Sequence, residues 1–318
     1  MVAAACGSND RPSLTDATVP LTDTVGDIDD AAISATGPLT DTAGDIVDLA
    51  TATVGDVSDA LVPPNPNDLL TSADAYVVEV IERRGHDPDA FTQGLEFFGA
   101  RLFESRGLRG ESAVTEIDPQ TGQVTRAVGL TDEFFAEGLT RVDDRLVTLT
   151  WEAERAFVLD LETFEQVAEL GYSGEGWGIC HDGESLWMSN GSSTLTERDP
   201  VSFEVTGEME VAFEGTPVFN LNELECIDGL VWANVWQTNM IVVIDPVTAE
   251  VVARIDASAL VAELGPFDDD DAVLNGIAYD KAANRVLLTG KYWPTMFMVE
   301  LEPCTGGCVM PPLFPIDE

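Results

Sequence analysis

Phe135-Ala136-Glu137-Gly138-Leu139-Thr140 carries a phrase that the chain uses five times: a polar or aromatic residue, a small residue, then Leu or Ile. The other copies are Gln93-Gly94-Leu95, Trp177-Gly178-Ile179, Glu225-Cys226-Ile227 and Asn275-Gly276-Ile277. Their leading residues lie 44, 40, 48 and 50 positions apart in chain order. A period of about 40 to 50 residues, built from short strands, marks a propeller blade. The apolar frame recurs while its leading residue changes each time. A rigid ring with one face fitted out as a site would read this way.

A second phrase keeps step with the first. Glu116-Ile117-Asp118-Pro119, Val158-Leu159-Asp160-Leu161, Glu197-Arg198-Asp199-Pro200 and Val243-Ile244-Asp245-Pro246 each end an apolar run with Asp and a turn. Asp bonds the backbone just ahead of it, and Pro presets φ for the bend. Between the phrases lie alternating runs such as Arg145–Thr150 and Arg285–Thr289, which predict antiparallel strands. Helical period occurs near 256–264, where Asp256 offers a cap and Gly265-Pro266 a stop. The expected fold is all-β: a five-bladed β-propeller with one short inserted helix.

The innermost strand of each blade lines the central channel of a propeller. Gln93, Glu137, Trp177, Glu225 and Asn275 should therefore converge, although they are remote in sequence. A second set follows after the first strand turns back: Trp151, Trp236 and Lys291. For any one of these residues, plugging the channel or bracing a loop is an equally good reading. Eight in register favour a site.

The chain has 318 residues and a formal charge of −43. The excess is spread along it, with 13 acidic and 1 basic residue in 1–75 and 45 acidic and 14 basic in the remainder. Such a surface does not hold nucleic acid or anionic lipid electrostatically; it suits solubility in salt. Only two lysines occur, Lys281 and Lys291, and the second stands at a predicted site position.

Residues 1–75 are rich in Thr, Asp, Ala, Gly and Pro and repeat Pro20–Ile28 as Pro38–Ile46. They predict a disordered acidic tether, followed by the propeller over 76–303 and a C-terminal tail over 304–318. Ala4-Ala5-Cys6-Gly7 is similar to the end of a bacterial lipoprotein signal, although what precedes it is too short for one. Either the start lies upstream or the likeness is chance; the first is the favoured expectation. It implies an extracytoplasmic protein, secreted or held at the cell surface by a lipid on Cys6. Cys304 and Cys308 could close a small disulfide loop. Cys180 and Cys226 are expected to be inert core thiols, with a buried pair as the alternative.

Taken together, several segments resemble the glutaminyl-peptide cyclotransferases of the plant and bacterial type. They are His86–Leu95, Phe135–Thr140, Gly174–Gly178, Leu221–Glu225, Val273–Asp280 and Thr289–Pro294. The resemblance spans about 76–303 and leaves the tether uncovered. Ala136, Cys180 and Cys226 depart from the family's usual Gly, Thr and aromatic residue. None of these removes a reactive group, but Cys226 puts one pocket wall in doubt.

The resemblance implies conversion of N-terminal glutamine in peptides or proteins to pyroglutamate, with loss of ammonia and no need of a metal or organic cofactor. It assigns Glu137 as proton shuttle and Lys291 as oxyanion stabiliser. Phe91, Phe135, Trp151, Trp177 and Trp236 would form apolar walls, and Gln93 and Asn222 would hydrogen-bond the substrate. His86 is expected to orient the loop before Phe91. A monomer is expected. Two other readings stay open: a calcium-dependent hydrolase using Glu137, Glu225, Asn222 and Asn275 as oxygen ligands, and a binding propeller without chemistry.

Overall fold

The computed structural model describes residues 65–70 and 75–313. The expected repeat of the tether and Cys6 lie outside the described residues. Residues 65–70, read from sequence as the end of the tether, instead hold a helical turn, Pro66–Leu69. Asn67 fixes it by donating to Ile227 O at 2.6 Å and accepting from Trp232 Nε1 at 3.2 Å.

Five four-stranded blades follow, three as separate antiparallel sheets and the last two joined by a short parallel pairing of Ala75–Gly85 with Glu250–Asp256. Their innermost strands are Thr92–Phe98, Ala136–Val142, Ile179–His181, Leu221–Ile227 and Leu274–Asp280. Each blade then runs outward strand by strand. Asp118, Asp160, Asp199 and Asp245 turn the chain at blade edges as expected. Asp118 Oδ1, for example, accepts from the backbone N–H of Gln120 at 3.0 Å and Thr121 at 2.8 Å.

Blade 5 borrows its outer strand from the other end of the chain. Ala75–Gly85 pairs antiparallel with Thr295–Pro303, from Tyr76 opposite Pro303 to Gly85 opposite Thr295. The ring is thereby closed by hydrogen bonds between its two ends. The sequence reading did not place this strand, because 75–85 carries no copy of the phrase.

The apolar residues sort into five buried clusters, one at each junction between neighbouring blades. Strand Leu230–Val235 shows why. Trp232 packs toward blade 5, whereas Val231, Ala233 and Val235 pack toward blade 3. Alternate side chains point to opposite faces, and both faces of a blade are covered. The fourth strands of blades 1 to 3 are instead largely exposed.

Cys180 and Cys226, expected as inert thiols, form a disulfide. They stand on the inner strands of blades 3 and 4 with Cα atoms 5.4 Å apart, a spacing that a bridge requires. Cys304 and Cys308 form a second disulfide just past the last strand. The inserted helix is Ser258–Leu264, with Ala257 rather than Asp256 at its N-cap. Asp256 bonds Ser258 N at 2.8 Å instead, and Gly265, at φ 84°, ends the helix.

Candidate active site

Strand register determines which side chains meet. In blades 2, 4 and 5 the pairing of the two inner strands skips a pair of residues. These are Glu137-Gly138, Asn222-Glu223 and Asn275-Gly276. Such bulges re-aim a side chain and recur beside active sites. They correct the fourth copy of the phrase: Asn222, not Glu225, is the counterpart of Glu137. Two residues before each bulge, a carbonyl accepts from the backbone of the returning strand's end. Trp151 N donates to Phe135 O (3.0 Å), Trp236 N to Asn220 O (2.8 Å) and Lys291 N to Val273 O (2.9 Å). The second expected set is thus placed by the same geometry. Blade 1 has Gly107 there, bonded to Phe91 O at 2.8 Å.

The small residue of the phrase has a steric cause. A Cβ on Gly94 would meet Leu139 N of the next blade at 2.3 Å, and one on Gly178 would meet Asn222 O at 2.0 Å. Blade 4 carries Glu223 at this position. Its carboxylate spans the space instead, accepting from Ile277 N at 2.8 Å and Leu95 N at 3.3 Å. Glu225 lies further along the strand and accepts from Tyr279 N at 2.7 Å. Glu96 of blade 1 joins the two in electrostatic reach and takes a bond from Thr140 Oγ1 at 3.0 Å. Burial pushes Glu223 and Glu225 well above the usual carboxylate range and Glu96 up to about 7. Of the four oxygen ligands expected for calcium, Glu225 is engaged by Tyr279 N and grouped with Glu96 and Glu223. Among the described residues, no three His, Cys, Asp or Glu side chains converge as a metal ion would need.

Glu137 is buried, 5% exposed. Desolvation holds its carboxyl well above the usual range; Lys291 opposes that shift and Glu175 adds to it. Lys291 is 4% exposed, and burial brings it down to about 8 despite Glu137 and Asp271. Its Nζ lies 4.5 Å from the centroid of the Phe91 ring, a cation–π contact.

The expected aromatic walls form one arc. Phe91 meets Phe135 edge to face at 5.9 Å, and Phe135 meets Trp151 at 5.8 Å. Trp177 meets Trp236 at 5.5 Å. Two participants were not assigned from sequence. Tyr292 packs on Phe91 at 5.2 Å, held at φ 62° by a bond to Ala90 O. Glu175 accepts from both indoles, Trp151 Nε1 at 2.8 Å and Trp177 Nε1 at 2.9 Å. The motif Gly174-Glu175-Gly176 was visible in the sequence, but nothing in it shows two N–H groups waiting nearby.

Gln93 and Asn275 touch: Asn275 Nδ2 donates to Gln93 Oε1 at 3.3 Å and to Thr92 O at 2.9 Å. The amide oxygens of Asn222 and Asn275 are buried without a protein partner. His86 sits buried at the start of the segment that leads to Phe91. Its Nδ1 lies 2.7 Å from Trp293 O and its Nε2 2.9 Å from Glu104. Glu104 also takes Thr92 Oγ1 and Arg106 Nε, and these neighbours hold it down to about 2. A cleft of about 620 Å³ opens between blades 1 and 2 beside Phe134 and Phe157, but none of the convergent residues lines it.

The ring of inner strands thus carries a buried acid within electrostatic reach of a buried amine, and that amine lies over the first ring of the aromatic arc. The chain belongs to the glutamine cyclotransferase family, which it matches over residues 50–301. It is 40% identical over 230 residues to the glutaminyl-peptide cyclotransferase of Arabidopsis thaliana, covering 71% of each chain. Its fold is similar to the crystal structure of Myxococcus xanthus glutaminyl cyclase, with a TM-score of 0.69 and 36% identity. That match covers 72% of this chain and 98% of the other.

Proposed function

We propose that this enzyme cyclises the N-terminal glutamine of peptides and proteins to pyroglutamate and releases ammonia, with Glu137 as its single proton shuttle. The observation that carries the reading is Glu137 itself. It is a buried carboxyl that desolvation holds well above the usual carboxylate range, within electrostatic reach of Lys291 and Glu175.

The reaction asks little beyond folding and proton transfer. The α-amine attacks the side-chain carboxamide carbon of its own residue. A C–N bond forms, a five-membered lactam closes, and the C–NH₂ bond breaks. Nucleophile and electrophile are already joined, so holding them face to face supplies much of the acceleration. Glu137 accepts the proton lost by the amine and returns it to the departing nitrogen. A carboxyl with a raised pKa can do both.

Lys291 donates to the amide oxygen as it gains charge, an effect worth about 2.7–4 kcal/mol for a well-placed donor. Phe91, Phe135, Trp151, Trp177 and Trp236 pack the glutaminyl methylenes. The unpartnered oxygen of Asn222 accepts from a substrate N–H, and Gln93, tied to Asn275, orients the backbone. None of these steps calls on a metal. The two disulfides support an extracytoplasmic location.

The test is direct. Purified protein incubated with a Gln-initiated dipeptide should release ammonia, and the peptide should lose the mass of one ammonia. An unchanged peptide under conditions where the protein is folded would refute the proposal.

A further inference from the structure

We propose that Glu175 is a positioning residue, a single carboxylate that closes the aromatic arc by clamping two indoles from neighbouring blades. The assignment deepens the cyclase reading and rests on it for its kinetic consequences only.

Without Glu175 the rings fall into two separate groups. One runs Tyr292–Phe91–Phe135–Trp151, and the other is Trp177–Trp236. No direct ring contact joins Trp151 to Trp177 among the described residues. One oxygen of Glu175 receives both N–H groups, at 2.8 and 2.9 Å. Hydrogen bonds to an ionised acceptor are about twice as strong as neutral ones. Glu175 is exposed, so the carboxylate also keeps contact with water.

The backbone aims it. Gly176 N donates to Trp151 O at 2.9 Å, and Gly174 N to Glu154 Oε1 at 2.8 Å. A side chain at 176 would collide with Tyr172 Oη at 2.5 Å. Trp151 is held from its other side too, with the Arg109 guanidinium 5.7 Å over its ring and itself paired to Glu152 at 3.0 Å. The indoles are thus fixed in orientation before substrate arrives, which lowers the cost of ordering them on binding.

Glu175 also acts on Glu137 through space. The charged or titratable groups that act on Glu137, or that it acts on, are Lys291, Glu175 and Tyr172. Removing the Glu175 charge therefore favours the ionised form of Glu137, and the acid limb of kcat/KM moves to lower pH.

Two variants separate the clamp from the charge. In Glu175→Ala the near-ultraviolet circular dichroism of the indoles should weaken without any substrate present, and KM should rise about tenfold with a smaller change in kcat. In Glu175→Gln the amide oxygen can still accept from the indoles. The indole signal and KM should return toward the parent values while the acid limb stays shifted to lower pH. An unchanged indole spectrum and unchanged KM in Glu175→Ala would overturn the assignment. If the parent protein released no ammonia from Gln-initiated peptides, the cyclase reading would fail, and the spectrum would still decide the clamp.

Discussion

The central channel holds two sets of buried acids, and they differ in what they are bonded to. Glu137 stands beside Lys291 and the aromatic arc, and its protonation is set by burial and by charges acting at a distance. Glu223 and Glu225, on the inner strand of blade 4, are also buried and likewise displaced upward. Both are engaged by backbone N–H groups of neighbouring blades. A raised carboxyl is therefore not enough to mark a catalyst. What distinguishes Glu137 is that charged side chains, Lys291 and Glu175, act on its carboxyl, where backbone N–H groups engage the other two. Glu223 and Glu225 fasten the ring.

The comparison breaks if the two sets respond alike to removal of charge. Glu137→Gln should lower kcat by about 10²–10⁴-fold, the range for loss of a positioned general acid–base, while KM and thermal stability change little. Stopped ammonia release with an intact melting curve would match this. Near-normal turnover would return Glu137 to the structural class. Lys291→Met should cost about 10²–10³ in kcat if the amine stabilises the oxyanion. The pH profile sharpens the point. Lys291 is charged below about 8, so activity that needs its charge should fall as pH rises through that value. Lys291→Arg, whose guanidinium stays charged, should push this alkaline limb upward. A limb that does not move would assign it to another group.

Glu223 should give the opposite pattern. Glu223→Leu strands the N–H groups of Leu95 and Ile277. Each unsatisfied buried donor costs about 1–3 kcal/mol. Chemical denaturation should show a lower midpoint, while kcat/KM per folded molecule stays within about threefold of the parent, a ratio worth less than 1 kcal/mol. Loss of turnover at full stability would contradict the division drawn between the two sets.

Much of this architecture was legible in the chain. The recurring Gly-Leu frame exposed the five blades because close contact between inner strands forbids a Cβ there, as at Gly94 and Gly178. Glu137, Trp151, Trp177 and Trp236 followed from blade symmetry, whereas Phe91 and Phe135 came from the family resemblance. The fourth copy misled for the same physical reason. Glu225-Cys226-Ile227 fits the phrase in letters, but the bulge sits three residues earlier, where Glu223 replaces Gly and bridges the gap with its side chain. The closing strand Ala75–Gly85 was invisible because its partner lies at the far end of the chain. Glu175 was visible as a residue and not as a clamp, since its two indole partners come from different blades. The Cys180–Cys226 bridge likewise depends on how adjacent inner strands are staggered.

The smallest effect is the subtlest test of the second group of acids. Glu96 is pushed up to about 7 from an ordinary value of 4.5, chiefly by desolvation. A group whose folded pKa is raised stabilises the fold fully below its unfolded pKa and loses that contribution as pH rises through the folded one. Melting temperature should therefore decline between about pH 4.5 and 7, when the channel must accept a charge that the unfolded chain carries freely. Glu104, held near 2, works in the opposite sense only at lower pH. Glu96→Gln keeps an acceptor for Thr140 Oγ1 and cannot ionise, so the decline should flatten. Part of Glu96 meets solvent, and screening limits the change to about 1–2 kcal/mol. A melting curve that keeps its full slope in Glu96→Gln would show that these acids do not share one electrostatic neighbourhood, and the contrast with Glu137 would lose its second term.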